Sequence, residues 1–410
     1  MDMRELRLPN PIKPAFDTPT SDDHVIVNIG PSHPATHGTI QIVAELDGEK
    51  IIRSDVHCGY LHRGFEKECE SHTWHNLIPY VDRLNYCSAL INDFAYCAAV
   101  EELMGVEITP RAKYLRTLLA EYSRIADHMT CIAAGLMELG AMTAFLYLVS
   151  IRDWIYEHLA QVTGARVTYS FGRIGGLARD LPDGWIDRLH WILGQYDDFV
   201  GRVHGLVDRN RIFIDRMRNV GVINTADAIN YGLTGPMLRS TGAPRDLRKD
   251  TPYLAYAELE FEVPVGINGD NYDRYFVRMR EMDESVHMIR QLVDILAKVK
   301  GPINVDDRRC SFPEKEHVYN EIESLINHFK LVMDGPRVPA GEVYVAHEGA
   351  NGELGFYLVS NGAGVPYKVH CRSPSFVAMG SASRMLDGYQ LADLIPTFGS
   401  INMIGGECDR

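Results

Sequence analysis

The run Gly30-Pro-Ser-His33-Pro-Ala-Thr-His37-Gly38 sets two imidazoles four residues apart. On a helix that spacing suits a zinc ion, but Pro31 and Pro34 forbid the helix. The segment reads instead as a stiff loop that aims its imidazoles at a fixed place. Either backbone carbonyls satisfy them in a tight turn, or they exchange protons near neutral pH, where unperturbed histidine titrates. Glu138 is the only charged residue from Thr130 to Ile151. Ionising a carboxyl group in so apolar a stretch is costly, so its pKa should rise, which suits a proton relay. A structural hydrogen bond to a backbone group is the alternative. Tyr86, in Asp82-Arg83-Leu84-Asn85-Tyr86, reads on its residue type as a core phenol with a paired hydroxyl. Arg63 (Leu61-His-Arg-Gly64) and Arg173 (Phe171-Gly-Arg-Ile-Gly-Gly176) lie in loops containing glycine. A guanidinium in a buried loop needs an anion: a nearby Asp or Glu, a phosphate, or an anionic metal cluster.

The elements that must position these residues follow from periodicity. His24–Ile29, Thr39–Leu46 and Lys50–Val56 read as strands, with Asp47-Gly48 as a turn. Asp82–Tyr86 leads into an apolar helix running through Ala99. Thr109-Pro110 is an N-cap followed by a first-turn proline. Leu115, Leu118, Tyr122, Ile125, Met129, Ile132 and Leu136 then recur at helical spacing. Two further seams run from Ile186 to Val207 and from Tyr272 to Leu296. Tyr253–Val263 alternates like a strand. A helix ending near Asp334-Gly335 precedes strands at Val343–His347, Leu354–Ser360 and Tyr367–Cys371. Thr130–Ile151 is long enough to span a bilayer, but Gly135, Gly140 and Glu138 make a buried helical hairpin the better reading.

The expected fold class is α+β. An N-terminal arm (1–23) precedes a β region with the histidine loop (24–64). A central helical bundle (65–335) with a β insertion near 250–264 and a C-terminal β-rich cap (336–410) complete it. At 410 residues, two or three intimately packed lobes are expected. A net charge of −14 argues against nucleic acid as a partner. The eight cysteines, Cys58, Cys69, Cys87, Cys97, Cys131, Cys310, Cys371 and Cys408, form no C-x-x-C pair. The usual local spacing for zinc or iron–sulfur ligands is therefore missing, and reduced thiols in a cytosolic compartment are expected. The Gly172–Gly176 run is not a dinucleotide fingerprint, and no Walker A loop, nucleophile elbow or H-E-x-x-H occurs.

The histidine loop resembles the G-P-x-H-P-x-x-H-G signature of the D subunit (49 kDa type) of respiratory complex I. Leu61–Lys67, Asp82–Tyr86, Gly135–Met142, Gly172–Gly176, Asp246–Lys249, Arg278–Met282, Gly341–Tyr344 and Cys408–Arg410 match the family in order. The family in turn resembles the large subunit of nickel–iron hydrogenases, which holds its metal with two C-x-x-C pairs. Here the corresponding stretches carry only the lone Cys87 and Cys408.

The resemblance implies a peripheral subunit of proton-translocating NADH:quinone oxidoreductase on the cytoplasmic face of the inner (plasma) membrane, without a transmembrane helix. His37 and Tyr86 would flank the quinone head group, with Glu138 as partner to the loop histidine. His33, Arg83 and Phe145 would line the chamber. Arg63 and Arg173 would lie against a 4Fe-4S cluster held by the neighbouring B subunit. Menaquinone or ubiquinone would be the substrate, and this chain itself would bind no metal or flavin. Implied partners are the B and C subunits, membrane subunits where quinone enters, and other peripheral-arm subunits. Two departures stand out: the family usually has aspartate at Glu138, and commonly a histidine at Thr168. The alternatives are the same role in a ferredoxin- or deazaflavin-linked quinone reductase, or a non-catalytic scaffold.

Overall fold

The computed structural model describes residues 16 and 18–410, so most of the expected N-terminal arm lies outside the described residues. Strands β1 (Val25–Ile29), β2 (Gln41–Asp47) and β3 (Lys50–His57) form an antiparallel sheet in that order. Asp47 pairs with Lys50, so the turn is Gly48-Glu49, one residue later than expected, with Gly48 at φ +61°. Between β1 and β2 the histidine loop makes a single 3₁₀ turn, Pro34–Thr36, and no α-helix.

Helix α1 (Ala89–Met104) is buried on nearly every face and stops at Gly105, whose φ of +64° suits a residue without a Cβ. Helix α2 (Pro110–Glu138) starts where the Thr109 side chain accepts from the Ala112 N–H at 3.2 Å. Its whole expected stripe, from Leu115 to Leu136, is buried. Helices α3 (Met142–Thr163), α4 (Trp185–Val207) and α5 (Asn271–Leu296) follow. The apolar Thr130–Ile151 stretch is thus split between α2 and α3 as a hairpin. Among the described residues no helix is long and apolar enough to cross a membrane. Helix α2 packs against α1, α3 and α5, which makes it the axis of the bundle.

The strand expected at Tyr253–Val263, and with it the β insertion near 250–264, is not formed. That segment holds a 3₁₀ turn, Tyr256–Glu258, and otherwise irregular chain. Its backbone finds side-chain partners on neighbouring helices instead of a ladder. The N–H groups of Ala255, Glu260 and Glu262 donate to Thr117 Oγ1, Gln291 Oε1 and Glu284 Oε2.

Helix α6 (Ile322–Met333) precedes a second antiparallel sheet, β4 (Gly341–Glu348), β5 (Glu353–Ser360) and β6 (Lys368–Arg372). The C-terminal cap is β-rich only to that point. Short helices at Pro374–Gly380 and Ala382–Leu386 follow, then α7 (Leu391–Ile401) and α8 (Gly405–Asp409). Two of them carry side-chain caps: Ser373 accepts from the Phe376 N–H, and Gln390 with Asp393 forms a capping box.

The two ends of the chain share a core. Ile40, Ile42 and Ile51 pack in one cluster with Met379, Phe398 and Cys408. Residues of α1 pack with Leu354, Phe356 and Val369 of the second sheet. Beneath both runs a buried ionic network. Arg239 bonds Glu281 (2.8 Å) and Glu348 (2.7 Å), Arg248 bonds Asp246 (2.7 Å) and Glu121 (3.3 Å), and His128 meets Glu281 at 2.9 Å. Such pairs offset one another's desolvation, so losing one partner strands the other in low dielectric.

Candidate functional site

Glu138 ends α2 and points at the histidine loop, its Oε1 3.9 Å from His37 Nε2. His37 leaves 37% of its side-chain surface open, whereas Glu138 leaves 13%. Burial pushes the Glu138 carboxyl up to about 7, and its Oε2 has no hydrogen-bond partner among the described residues. Burial lowers the His37 imidazole, opposed by a ring N–H donated to the Met403 carbonyl. The ring also meets Phe398 edge-on at 5.5 Å. At neutral pH the pair therefore holds a proton that neither partner binds strongly. Among the described residues no backbone hydrogen bond is found at the Glu138 Oε2.

Tyr86 is 39% exposed, so it is not the core phenol its residue type suggests. The Gly405 N–H donates to its hydroxyl, two residues from the carbonyl that His37 holds. The short segment Met403–Gly405 thus registers both side chains. The joint is tight: a Cβ on Gly405 would meet Leu61 and Thr39 at 3.0 Å, and one on Gly406 would stand 2.4 Å from the Arg83 carbonyl oxygen. Below it, Asp127 Oδ2 accepts from Asn85 Nδ2 (2.8 Å) and Ser88 Oγ (2.7 Å), fixing the loop that presents Tyr86. Asp127 Oδ1 accepts from Asn402, which bonds Asn351. Arg278, buried in α5, donates to the carbonyls of Ser400 (2.7 Å) and Ile401 (3.3 Å), holding the end of α7.

One titrating group here escaped the sequence reading. Glu407 is buried, bonded to Ser375 and Asn351, and held by burial at about 7, close enough to Tyr86 for its charge to be felt. Nothing separates it in sequence from an ordinary acid in a glycine-rich tail. The only hint was the Gly405-Gly406 pair before it, which demands close backbone approach.

Arg63 and Arg83 lie near one another, and Arg173 is tied to the turn that carries Arg83 through Ser170 and Asp82. Arg63 is exposed rather than in a buried loop, and donates to the Tyr80 carbonyl at 2.7 Å. Arg83 donates to the Pro79 carbonyl at 2.5 Å, and its charge bears on Arg63. Asp82, in the same turn, accepts from the Ser170 N–H (2.5 Å), and the Ser170 carbonyl accepts from Arg173 (2.8 Å). Among the described residues none of the three arginines has a carboxylate partner, which removes the bland reading of a local Asp or Glu.

The Arg173 loop is clamped from below. Buried Arg116 bonds Glu101 (2.8 and 2.6 Å) and donates to the Arg173 carbonyl, while Asp93 accepts from the Phe171 and Gly172 N–H groups. Its glycines serve packing: a Cβ on Gly176 would lie 2.2 Å from the Ile303 carbonyl oxygen. His75 lines a cavity with Arg173, and burial together with that positive charge lowers it to about 4.

The remaining candidates sit at the margins. His33 is exposed, and its Nδ1 accepts from the Ala35 N–H, a capping role. Phe145 lies half-buried on the first turn of α3, beside a cavity of about 320 Å³ lined by Leu139–Ala144 and by Leu206, Val207, Asn210, Ile212 and Phe213. Thr168 stands at φ +54° and donates to the Val167 carbonyl.

Residues 138–410 match the family described as respiratory-chain NADH dehydrogenase, 49 kDa subunit. The chain is 65% identical over 401 residues to the D subunit of NADH-quinone oxidoreductase from Pelobacter propionicus, covering 98% of this chain and 99% of that one. It is 49% identical over 408 residues to the D subunit of the same enzyme from Myxococcus xanthus, covering 98% of each. It is also 48% identical over 390 residues to the C/D subunit of NADH-quinone oxidoreductase from Bdellovibrio bacteriovorus, covering 95% of this chain and 69% of that one. With so much of its length matched, and with His37 and Tyr86 both set against Met403–Gly405, this chain belongs to the D-subunit family of NADH-quinone oxidoreductases, the 49 kDa subunit family.

Proposed function

We propose that this chain, with an iron–sulfur B subunit, forms the site where proton-translocating NADH:quinone oxidoreductase reduces quinone to quinol. The observation that carries this is the registration of His37 and Tyr86 on one backbone segment, with Glu138 behind the histidine. Quinone reduction takes up two electrons and two protons, one at each carbonyl oxygen. Tyr86 offers a hydroxyl; His37, with one ring nitrogen on the Met403 carbonyl, hands on a proton from Nε2, the nitrogen that faces Glu138, and that carboxyl, held at about 7, reprotonates Nε2 afterwards. The partner's 4Fe-4S cluster supplies the electrons. Arg63 and Arg173 fit such an anionic neighbour because neither pairs with a carboxylate among the described residues, while Arg83, with His33 and Phe145, is left to line the quinone chamber.

The hairpin tip supports contact with a membrane subunit where quinone enters. Met137, Met142 and Leu146 are exposed there, as are Leu206 and Ile212 across the neighbouring cavity. The joint C/D name of the Bdellovibrio relative supports a C subunit beside this chain. The same proposal includes the other peripheral-arm partners, a peripheral position on the cytoplasmic face of the membrane, and menaquinone or ubiquinone as substrate. It also includes the hydrogenase large-subunit fold and the division at residues 23, 64 and 335. The relatives' names favour the NADH-linked enzyme over a ferredoxin- or deazaflavin-linked one, and the relay geometry speaks against a silent scaffold.

The test is a density map of the complex purified through a tag on this chain. A cluster-bearing subunit against Arg63 and Arg173, and quinone between His37 and Tyr86, are expected. Quinone bound elsewhere would overturn the assignment, and a complex whose electron-input module lacks flavin would move it to the ferredoxin-linked class.

A further inference from the structure

The loop after β3 and the last residues of the chain meet at a cluster that takes no part in quinone chemistry. The Sγ atoms of Cys58 and Cys408 and a carboxylate oxygen of Asp409 all lie within 4.8 Å of one another. Cys408 and Asp409 are buried and Cys58 is half-buried. The cysteines are 350 positions apart in sequence, so no local spacing announces the pair. We propose that Cys58, Cys408 and Asp409 form a site for a thiophilic divalent cation of the zinc class.

Three features support a cation over inert packing. Two sulfurs and a carboxylate oxygen are a donor set that zinc accepts, with bonds of about 2.0–2.3 Å. Tetrahedral ligand atoms then lie roughly 3.5 Å apart, so the present spread needs only small side-chain rotations. The carboxylate is already oriented: Gly59 N–H donates to Oδ1 at 2.9 Å and Leu61 N–H to Oδ2 at 2.7 Å, leaving a lone pair on each oxygen.

The cluster also opens onto a cavity of about 400 Å³ lined by His62, Lys67, Phe376 and Arg410, which gives an ion a path and leaves the fourth position to water or His62. His62 is tied down by a ring N–H donated to the Asp409 carbonyl at 2.7 Å. A dithiol poised for oxidation is the competing chemistry. It would want a thiolate, which an adjacent carboxylate disfavours and a cation favours. The site departs from the expectation that this chain binds no metal, because that expectation rests only on the missing C-x-x-C pairs. It also stands apart from any hydrogenase-type nickel site, since Cys58 lies outside the stretches that correspond to those pairs.

Such an ion would staple the chain's end to the loop that carries Arg63. The test compares zinc content of the anaerobically purified complex, by mass spectrometry, between the unmutated protein and a Cys58→Val/Cys408→Val variant whose apolar side chains keep the packing. A difference of about one zinc per complex is expected. Titrating the full-length chain with Co²⁺ should give a thiolate charge-transfer band, with the dissociation constant raised more than about tenfold in Asp409→Asn. Equal zinc in both complexes, or Co²⁺ binding without a thiolate band, which marks an adventitious ion only, would overturn the site. So would a Cys58–Cys408 disulfide found by alkylation and peptide mapping as the resting state. Should the valine variant not assemble, the Co²⁺ titration of Cys58→Ser decides alone.

Discussion

The carboxyl of Glu138 and the imidazole of His37 face each other at 3.9 Å, a separation that a small rotation closes. The pair joins the last residue of α2 to a loop whose prolines leave little freedom. The Glu138 carboxyl sits against Gly399 of α7. A Cβ there would stand 2.6 Å from Glu138 Oε2, so only glycine leaves the carboxyl its present seat. The seat of the Glu138 carboxyl and the glycine at position 399 are thereby one structural question.

Glu138→Gln keeps the shape and removes the proton. Quinone reduction should fall by at least about tenfold while NADH oxidation with an artificial acceptor is unchanged. The variant should also alter the pH dependence of stability. The folded carboxyl titrates at about 7, above an unfolded value near 4.3. Its contribution is fully present below the unfolded pKa and is lost as pH rises through about 7, on the order of 1–3 kcal/mol. Glu407 has the same sign, so the variant should lose part of the slope and keep the rest. His37, lowered by burial, works oppositely and gains stability as pH rises toward its unfolded value. Denaturation curves across this range check the sign, and a slope identical in variant and parent would remove Glu138 from the account.

Gly399→Ala and Gly406→Ala separate relay from scaffold. At Gly399 the new methyl meets the flexible end of Glu138, which can swing away. The fold should lose less than about 1 kcal/mol, yet quinone reduction should drop as in Glu138→Gln. At Gly406 it meets the backbone oxygens of Arg83 (2.4 Å) and Leu84 (2.9 Å), which cannot move without displacing the Tyr86 loop. A cost of about 1–3 kcal/mol or more is expected there. Melting temperature and turnover measured together decide, and equal destabilisation by both would refute the distinction.

Periodicity made the long elements legible because burial on one face is a sequence property: the stripe from Leu115 to Leu136 is buried throughout. Tyr253–Val263 misled for a related reason. It alternates because Leu259 and Phe261 are buried between exposed Glu258, Glu260 and Glu262, in chain that pairs with no strand. The helices after Arg372 were missed because they have too few turns to show a period and are held by tertiary contacts, Ala382–Leu386 to β3 and α7 to α2. His37, Glu138 and the arginines were legible as residue types in unusual places. Glu407 and the Cys58–Cys408 pair were not, since only the folded chain brings the last residues under the loops after Gly30 and His57.

Tyr86→Phe should leave assembly intact, because the ring keeps its packing and only the Gly405 N–H loses an acceptor. Quinone turnover should fall about 3- to 10-fold, the equivalent of one hydrogen bond of about 0.5–1.5 kcal/mol. Artificial-acceptor activity of the same preparation is the control. Unchanged quinone turnover would take the hydroxyl out of the mechanism.

The last prediction concerns the proposed neighbouring cluster. The resemblance places a histidine where Thr168 stands, and a histidine there would couple a proton to the cluster's electron. Threonine does not titrate in this range. The structure supplies another imidazole near Arg173, His75, but burial and that arginine's charge hold it at about 4. Arg63 and Arg173 stay charged throughout and shift the potential without adding pH dependence. The cluster's midpoint should therefore vary little between about pH 6 and 8, and lie low enough for a menaquinone-type acceptor. Thr168→His should restore a slope, and the fold should tolerate it. Thr168 holds φ at +54°, where a β-branched residue is more strained than histidine. Redox titration of the cluster's EPR signal at several pH values measures this. A slope near about 59 mV per pH unit in the unmutated complex would show that a group on the partner subunit has taken the proton-binding role.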